Sequence, residues 1–409
     1  MKILLLPPYF KPEQVASSHL NDHRYCAFSE MGYKMSLYTP TPTRGVSDEM
    51  RAEYSARKYE VMYNGMMEVN RFSMFREGSN PFQRALRYVF CWSAQFWRGL
   101  RAKDIDLIYL ASTPPIQGVL GGLLKKIKKV PFVYNLQDIF PDSLAGTGLA
   151  KKGGLLWKIG RVLENFTYRN ADKIIVISED FKRNIMAKGV PEKKIVVVYN
   201  WVDEKAVKHV PREENVLFDR YGLDRSKFYI TYSGNIGLTQ NMDMLLEVAK
   251  ELEVNPNIQF VLIGEGAYKK RVQEIIAEQN IGNVKLLPFQ PYEDISHVFS
   301  LGDVGLVISK PGVGENSVPS KTWSILSASR PVLANFDENE LKSIVNENRC
   351  GIFTKAGDRE AFKQAILELY NDRARCEQLG RNGREFILGN LTRAVGTQKY
   401  VDVVKSFEK

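Results

Sequence analysis

The chain has 409 residues, 44% of them hydrophobic and 25% charged, an ordinary globular composition that excludes long disorder, collagen-like repeats and a heptad coiled coil. At roughly 150 residues per domain this length predicts two or three domains, with ample apolar content for two cores. The net charge of +10 is unevenly spread: residues 1–200 carry 30 Lys and Arg against 18 Asp and Glu, whereas residues 201–409 carry 27 against 29, so the first half is the one expected to meet something anionic.

The N-terminal stretch MKILLLPPYF has a four-residue apolar run before Pro7 and Pro8, too short for a signal-peptide core. No later stretch reaches the ~18 apolar residues of a membrane span. Cys26, Cys91, Cys350 and Cys376 lie far apart with no CxxC pair, so neither a disulfide framework nor a thiolate zinc site is expected. A cytoplasmic protein, at most peripheral on the inner face of the membrane, is the expectation. In chain order, KILLLPP (2–8), YKMSLYTP (33–40), DLIYLAS (106–112), PFVYNLQD (131–138), DKIIVIS (172–178) and IVVVYNWV (195–202) read as buried strands separated by helices. The pattern restarts with FYITYSGNIG (228–237), IQFVLIGEG (258–266), VKLLPF (284–289), VGLVIS (304–309) and PVLANF (331–336), with helices between them, and GDREAFKQAILELYND (357–372) and the stretch from Cys376 to the end read as helix. Such alternation predicts an α/β protein of two doubly wound parallel-sheet, Rossmann-like domains facing across a cleft, with ligands outside the carboxyl ends of the strands. The expected division is 1–203 plus 392–409 against 204–391.

Several segments carry candidate chemistry. SGNIGLTQNMD (233–243) follows a strand and opens a helix; Gly234 and Gly237 let backbone amides approach a phosphate there, although an ordinary βα turn reads the same way. No GK[ST] follows, so it is not a Walker A loop. GEG (264–266) is a second glycine turn at the same sheet edge. KPGVGENSVPSK (310–321) gathers Lys310, Glu315, Asn316, Ser317, Ser320 and Lys321 before a helix, a pattern suited to an anion or a sugar. NLQDIFPDSL (135–144) places Asp138 at a strand end, as a substrate-orienting carboxylate or a structural loop carboxylate. Asp104 and Asp106 form a DxD, but at the amino end of a strand, the wrong edge for a site. The four histidines form no HExxH, and a metal-free mechanism is expected. Segments 83–103 and 150–169 mix Trp, Phe and Leu with Arg and Lys, as an anionic membrane surface requires and as a core-facing helix with a basic outer face also does. No nucleic-acid reader motif is present, and no nucleic-acid partner is expected.

Taken together, PPYFKPEQVASSHL (7–20), LQDIFPDSL (136–144), ADKIIVIS (171–178), YNWVD (199–203), GNIGLTQN (234–241), IGEG (263–266), LLPFQPYEDI (286–295) and SVPSKTWSILSASRPVLA (317–334) resemble, in order and spacing, the glycosyltransferases of family four, which have the GT-B fold. The nearest branch is that of bacterial L-fucosamine-transferase-like and capsule-type enzymes. The resemblance implies retaining, metal-independent transfer of a sugar from a nucleotide-sugar, UDP by preference, to a lipid-linked saccharide in capsule or O-antigen synthesis, with no cofactor besides the nucleotide-sugar substrate. It implies donor contacts at Gly234, Asn235, Gln240, Gly264, Glu265, Phe289, Gln290, Glu315, Asn316, Ser320 and Ser324, catalytic roles for Asp138 and Lys321, and acceptor contacts at Ser17, Ser18 and His19. Two departures stand out. Asn235 and Gln240 occupy places where many members have Arg and Lys, and Asn316 and Ser324 fall where members carry two glutamates, with Glu315 one residue away. Lys321 is positioned to supply the missing positive charge to a leaving diphosphate. A nucleotide-sugar epimerase of the same fold and a catalytically silent nucleotide- or membrane-binding scaffold are the alternative readings.

Overall fold

A computed structural model describes residues 1–13, 18–78, 80–143, 151, 153–314 and 318–408. The chain divides into two compact units, Met1–Tyr199 with Thr397–Lys409, and Asn200–Gly396. Residues 200–203 and 392–396 thus go with the second unit rather than the first. Val202 donates its backbone N–H to the Leu391 carbonyl at 3.2 Å, and the Trp201 ring lies so close to Gly396 that a Cβ there would overlap it.

The first unit is built on an eight-stranded sheet of β1 (Lys2–Leu5), β2 (Lys34–Pro40), β3 (Tyr59–Met62), β4 (Met67–Phe72), β5 (Leu107–Ala111), β6 (Phe132–Leu136), β7 (Lys173–Val176) and β8 (Ile195–Val197). Their order is β3-β4-β2-β1-β5-β6-β7-β8, parallel throughout except for the antiparallel β3–β4 pair. Leu5 pairs in register with Leu37 on one side and Tyr109 on the other. β6 is buried at every position, as a central strand covered on both faces must be, and its FVYNL sequence supplies the aromatic and β-branched side chains such strands favour. The β3–β4 hairpin lies outside the strands expected from the sequence. It turns on Tyr63, Asn64 and Gly65, all at positive φ, and β3 is an edge strand with no continuous apolar run to announce it.

The second unit has a six-stranded parallel sheet of β9 (Phe228–Ser233), β10 (Ile258–Ile263), β11 (Val284–Leu287), β12 (Val304–Ile308), β13 (Val332–Phe336) and β14 (Gly351–Lys355), in the order β11-β10-β9-β12-β13-β14. Alternate residues of β9 face opposite cores. Phe228, Ile230 and Tyr232 join one cluster with Leu245, Leu262 and Phe362, while Tyr229 joins the other with Phe218, Val261 and Ile263. β14 is a further strand absent from the sequence-based set.

Local chemistry sets the helix ends. Ser178 caps the helix Glu179–Ala187 by accepting from the Phe181 amide, and Asp358 does the same for Arg359–Asn371 through Ala361. Asn80 caps the helix Pro81–Arg101 with proline at its first turn, and Gly222, in the left-handed conformation, ends Val216–Tyr221. In both sheets the strand order reverses beside the first strand of the unit, between β1 and β5 and between β9 and β12. These are the topological switch points, where adjacent loops part and leave a crevice at the carboxyl edge.

Candidate functional site

At the second unit's switch point, the loops after β9 and β10 are joined backbone to backbone. Gly234 N–H donates to the Ile263 carbonyl at 3.0 Å, Ile236 N–H to Glu265 at 2.8 Å, and Tyr268 N–H to Ile236 at 2.9 Å. The approach is close enough that a Cβ on Gly264 would overlap the Gly234 carbonyl oxygen, and both glycines have positive φ. A Cβ on Gly234 would stand 3.1 Å from Lys321 Nζ. Lys321 opens the helix Lys321–Ser327 after β12, and its ammonium lies 3.6 Å from the centre of the Tyr232 ring. No hydrogen bond or ion pair satisfies this ammonium among the described residues, and burial, with no opposing carboxylate, pulls its pKa down to about 7. A cation held in low dielectric without a counter-charge is costly unless a ligand supplies that charge. Lys310 lies 5.5 Å from the centre of the Tyr268 ring, beside the same loops, and adds a second positive charge.

The other donor-side candidates fall into distinct groups. Phe289, at the end of β11, is 73% exposed and offers an open aromatic face. Ser320 is exposed at the helix start and makes no capping bond, and Ser324 lies one turn after Lys321 on the same helix. Asn235 belongs to the glycine loop, where its backbone carbonyl accepts from the Tyr232 hydroxyl at 2.6 Å. Gln240 is turned back into that loop, its Oε1 accepting the Gly237 N–H at 3.0 Å. Glu265 pairs with Lys269 at 2.6 Å. Gln290 is buried; it donates to the Tyr221 hydroxyl and the Pro288 carbonyl, both at 2.7 Å, and accepts from Arg220 at 3.0 Å, which makes it a brace for the helix Val216–Tyr221. Glu315 and Asn316 lie outside the described residues, as does Ser17.

The first unit's switch point holds a cavity of about 400 Å³ formed by the segments after β1 and β5, with the helix Ser18–Glu30 as one wall. Asn21, Arg24 and Tyr25 project into it from one helical face, and Gln137 closes it beyond β6. Ser18 instead lines a separate small recess with Lys11, Asp22 and Tyr63, and His19 is exposed with its ring 6.1 Å from that of His23. Asp138 is likewise turned away from the cavity, into a recess with Tyr134 and Glu164, and accepts from the Ser143 hydroxyl at 3.1 Å. Its carboxyl is raised above the ordinary range because the surrounding protein desolvates it more than the Ser143 and Ile139 hydrogen bonds stabilise its charge. Gln137 and Arg24 were therefore missed from sequence, and Asp138 and Ser18 do not meet them. At the opposite edge, Asp106 accepts the Lys2 backbone N–H at 2.7 Å, a connector role.

Known proteins are similar to this chain in sequence and fold. Residues 26–206 match the family described as Glycosyltransferase Family 4, and residues 213–386 match Glycosyl transferases group 1. The chain is 26% identical over 310 residues to the Probable glycosyltransferase WbjE of Pseudomonas aeruginosa, covering 75% of this chain and 76% of that one. It is 30% identical over 208 residues to the Putative colanic acid biosynthesis glycosyl transferase WcaI of Escherichia coli (strain K12), covering 50% and 51%. Among solved structures, HepE of Anabaena in complex with UDP-glucose aligns with a TM-score of 0.71 at 17% identity, over 99% of this chain and 100% of that one.

Proposed function

We propose that this chain, a GT-B glycosyltransferase with a family 4 domain followed by a group 1 domain, moves a sugar with retention from a UDP-sugar to a lipid-linked saccharide in surface polysaccharide synthesis. The carrying observation is Lys321, whose ammonium lies beside the Gly234 turn at the switch point with no counter-charge among the described residues. A diphosphate placed there neutralises Lys321. As the sugar–phosphate bond breaks, the negative charge that develops on the leaving diphosphate is stabilised by the same ammonium. Phe289 is available to stack on the base. UDP as the nucleotide is supported by the UDP-glucose complex of HepE, and the polysaccharide context by the name of WcaI.

The lipid-linked acceptor is supported by the outer helices of the first unit. On Pro81–Arg101, Phe82, Leu86, Val89, Phe90 and Trp97 form an exposed apolar stripe flanked by Arg84 and Arg101. On Leu155–Asn170, Leu155 is 75% and Val162 67% exposed, with Leu156 and Ile159 between them. Bulky apolar side chains beside cations suit the headgroup layer of an anionic membrane. No described helix is long and apolar enough to cross a membrane.

A thermal-shift panel of nucleotide sugars tests the donor assignment, because a ligand that binds only the folded state raises the melting midpoint with concentration. A UDP-sugar that stabilises the wild type and leaves Lys321→Met unmoved supports it. Equal stabilisation of both proteins removes Lys321 from the donor site. Retention is read from the anomeric configuration of the product by NMR.

A further inference from the structure

Three described arginines, Arg24, Arg71 and Arg87, are buried in the first unit. Two of them have carboxylates. Arg71 pairs with Glu60 at 2.5 Å, and Arg87 lies 3.9 Å from Glu77 while donating to the Thr43 hydroxyl at 3.0 Å and the Pro8 carbonyl at 2.9 Å. Arg24 has none. Only 2% exposed, it donates through Nη2 to the Asn21 amide oxygen and stacks 4.7 Å from the centre of the Tyr400 ring, while Nε and Nη1 have no hydrogen-bond partner. Its titratable neighbours are the phenols of Tyr109, Tyr400 and Tyr25, which burial keeps protonated and therefore neutral. Arginine does not shed its proton to escape such a setting, so the guanidinium keeps a full charge there.

That guanidinium lines the switch-point cavity. Among the described residues the only other charged side chain lining it is Arg44, exposed at the rim, and none of the lining residues is a carboxylate. Tyr9, Tyr25, Tyr88 and Tyr109 supply aromatic surface, and Gln137 an amide. The volume of about 400 Å³ lies within the range of small-ligand sites. The chemistry is that of a pyranose carrying one compact anion: ring C–H faces pack on tyrosines, and the guanidinium fork takes two oxygens of a phosphate or carboxylate.

Resting on the acceptor role given above to this unit, we propose that the acceptor is an anionic saccharide and that Arg24 grips its phosphate or carboxylate, making Arg24 the residue that sets acceptor class. A phosphate identifies the carrier-linked end of the acceptor, and a carboxylate identifies a uronate sugar.

The test is direct binding by the full chain, with UDP saturating so that the donor site is closed to other anions. Glucose 1-phosphate, methyl glucuronide and neutral methyl glucoside are compared by saturation-transfer NMR titration. The expected result is that one charged sugar binds at least tenfold tighter than the neutral one, that Arg24→Gln abolishes this preference, and that Arg24→Lys restores only part of it, because an ammonium lacks the two-pronged geometry. The melting shift with UDP-glucose reports whether each variant is folded. Should Arg24→Gln not fold, Arg44→Gln on the exposed rim carries the test, with the charged preference expected to fall about threefold and neutral-sugar binding unchanged. Equal binding of charged and neutral sugars by the wild type, no detectable binding of either charged sugar, or a preference that survives in both variants overturns the proposal. Failure of the transferase reading registers separately, as absence of any nucleotide-sugar shift; the same titrations are then run without UDP, and a charged-sugar preference lost in Arg24→Gln leaves the anion site standing.

Discussion

Lys321 places its ammonium where the described residues offer no compensation, and this has consequences for both stability and binding. Its pKa is about 7 when folded against ~10.4 for an unperturbed lysine, so between these values the unfolded chain binds more protons and this group's contribution to stability improves as pH rises. The penalty is fully present below pH 7 and vanishes above the unfolded pKa. Lys321→Met is therefore expected to raise the melting temperature of the ligand-free protein at pH 6–7, with the gain fading toward pH 10, as calorimetry across that range measures. The same substitution is expected to slow sugar transfer by about 10²-fold or more, the scale of losing one preorganised donor to a developing charge. Diphosphate binding must recharge the amine once the pH exceeds 7. UDP-sugar affinity should thus be flat below pH 7 and weaken above it by up to about tenfold per pH unit, whereas the Met variant should show no such slope. Calorimetric titration at pH 6, 7, 8 and 9 decides between these profiles, and a wild-type affinity independent of pH would remove Lys321 from the diphosphate.

The outer helices of the first unit show why hydrophobic patterning needs its tertiary context. On Leu155–Asn170 the apolar positions 155, 156, 159 and 162 recur at helical spacing, as a core-facing stripe does, yet these are the exposed positions. The buried face is made instead by Gly160, Glu164, Thr167 and Tyr168, where Glu164 reaches Lys188 at 2.9 Å and a Cβ on Gly160 would press on the Phe140 ring. The stripe is thus exposed, as the proposed lipid contact requires, and on that proposal the surrounding cations, Lys158 among them, add about 1 kcal/mol each near an anionic surface. Replacing Leu155, Leu156 and Val162 together with Glu is expected to leave the melting temperature within about a degree, because no buried contact is lost, while flotation with anionic vesicles falls at least fivefold. Raising salt should weaken wild-type flotation in the same assay. Wild-type protein that ignores anionic vesicles at low salt would refute the membrane role and make a soluble acceptor the better reading.

Across the whole molecule, the second unit is one continuous stretch whereas the first is completed by the chain's last residues. Tyr400, fully buried, donates its hydroxyl to Asn135 of β6 at 3.1 Å and stacks on Arg24, so the final helix Arg393–Lys405 closes the core around the first unit's cavity. Truncation after residue 396 removes that plug and exposes Asn135 and the guanidinium. Calorimetry of the truncated chain should show the first unit melting at least 10 °C lower while the UDP-glucose shift of the second unit is kept, because Gly234, Phe289 and Lys321 all belong to 200–396. A truncated chain that melts like the full one would mean that the terminal helix contributes nothing to the first unit.

Alternating apolar runs and glycine turns were enough to read two parallel α/β units from the sequence. Strands such as FVYNL and FYITYS, buried on both faces, write their burial directly into composition. The glycine turn at 234, the GEG turn and the position of Lys321 were legible for the same local reason, since turn and helix-start chemistry depends on neighbouring residues. The β3–β4 hairpin escaped because its half-exposed edge strand has no apolar run. Whether Gln137 or Asp138 faces the cavity depends on how the chain leaves β6, a choice made by the Ser112 hydroxyl, which accepts both backbone amides at 2.9 and 3.2 Å. Arg24 was invisible for a deeper reason. A charged residue on an ordinary-looking helix reads as a solvated one, and only the packing of Tyr109 and Tyr400, from distant segments of the chain, together with Tyr25 turns it into a buried charge without a counter-ion among the described residues.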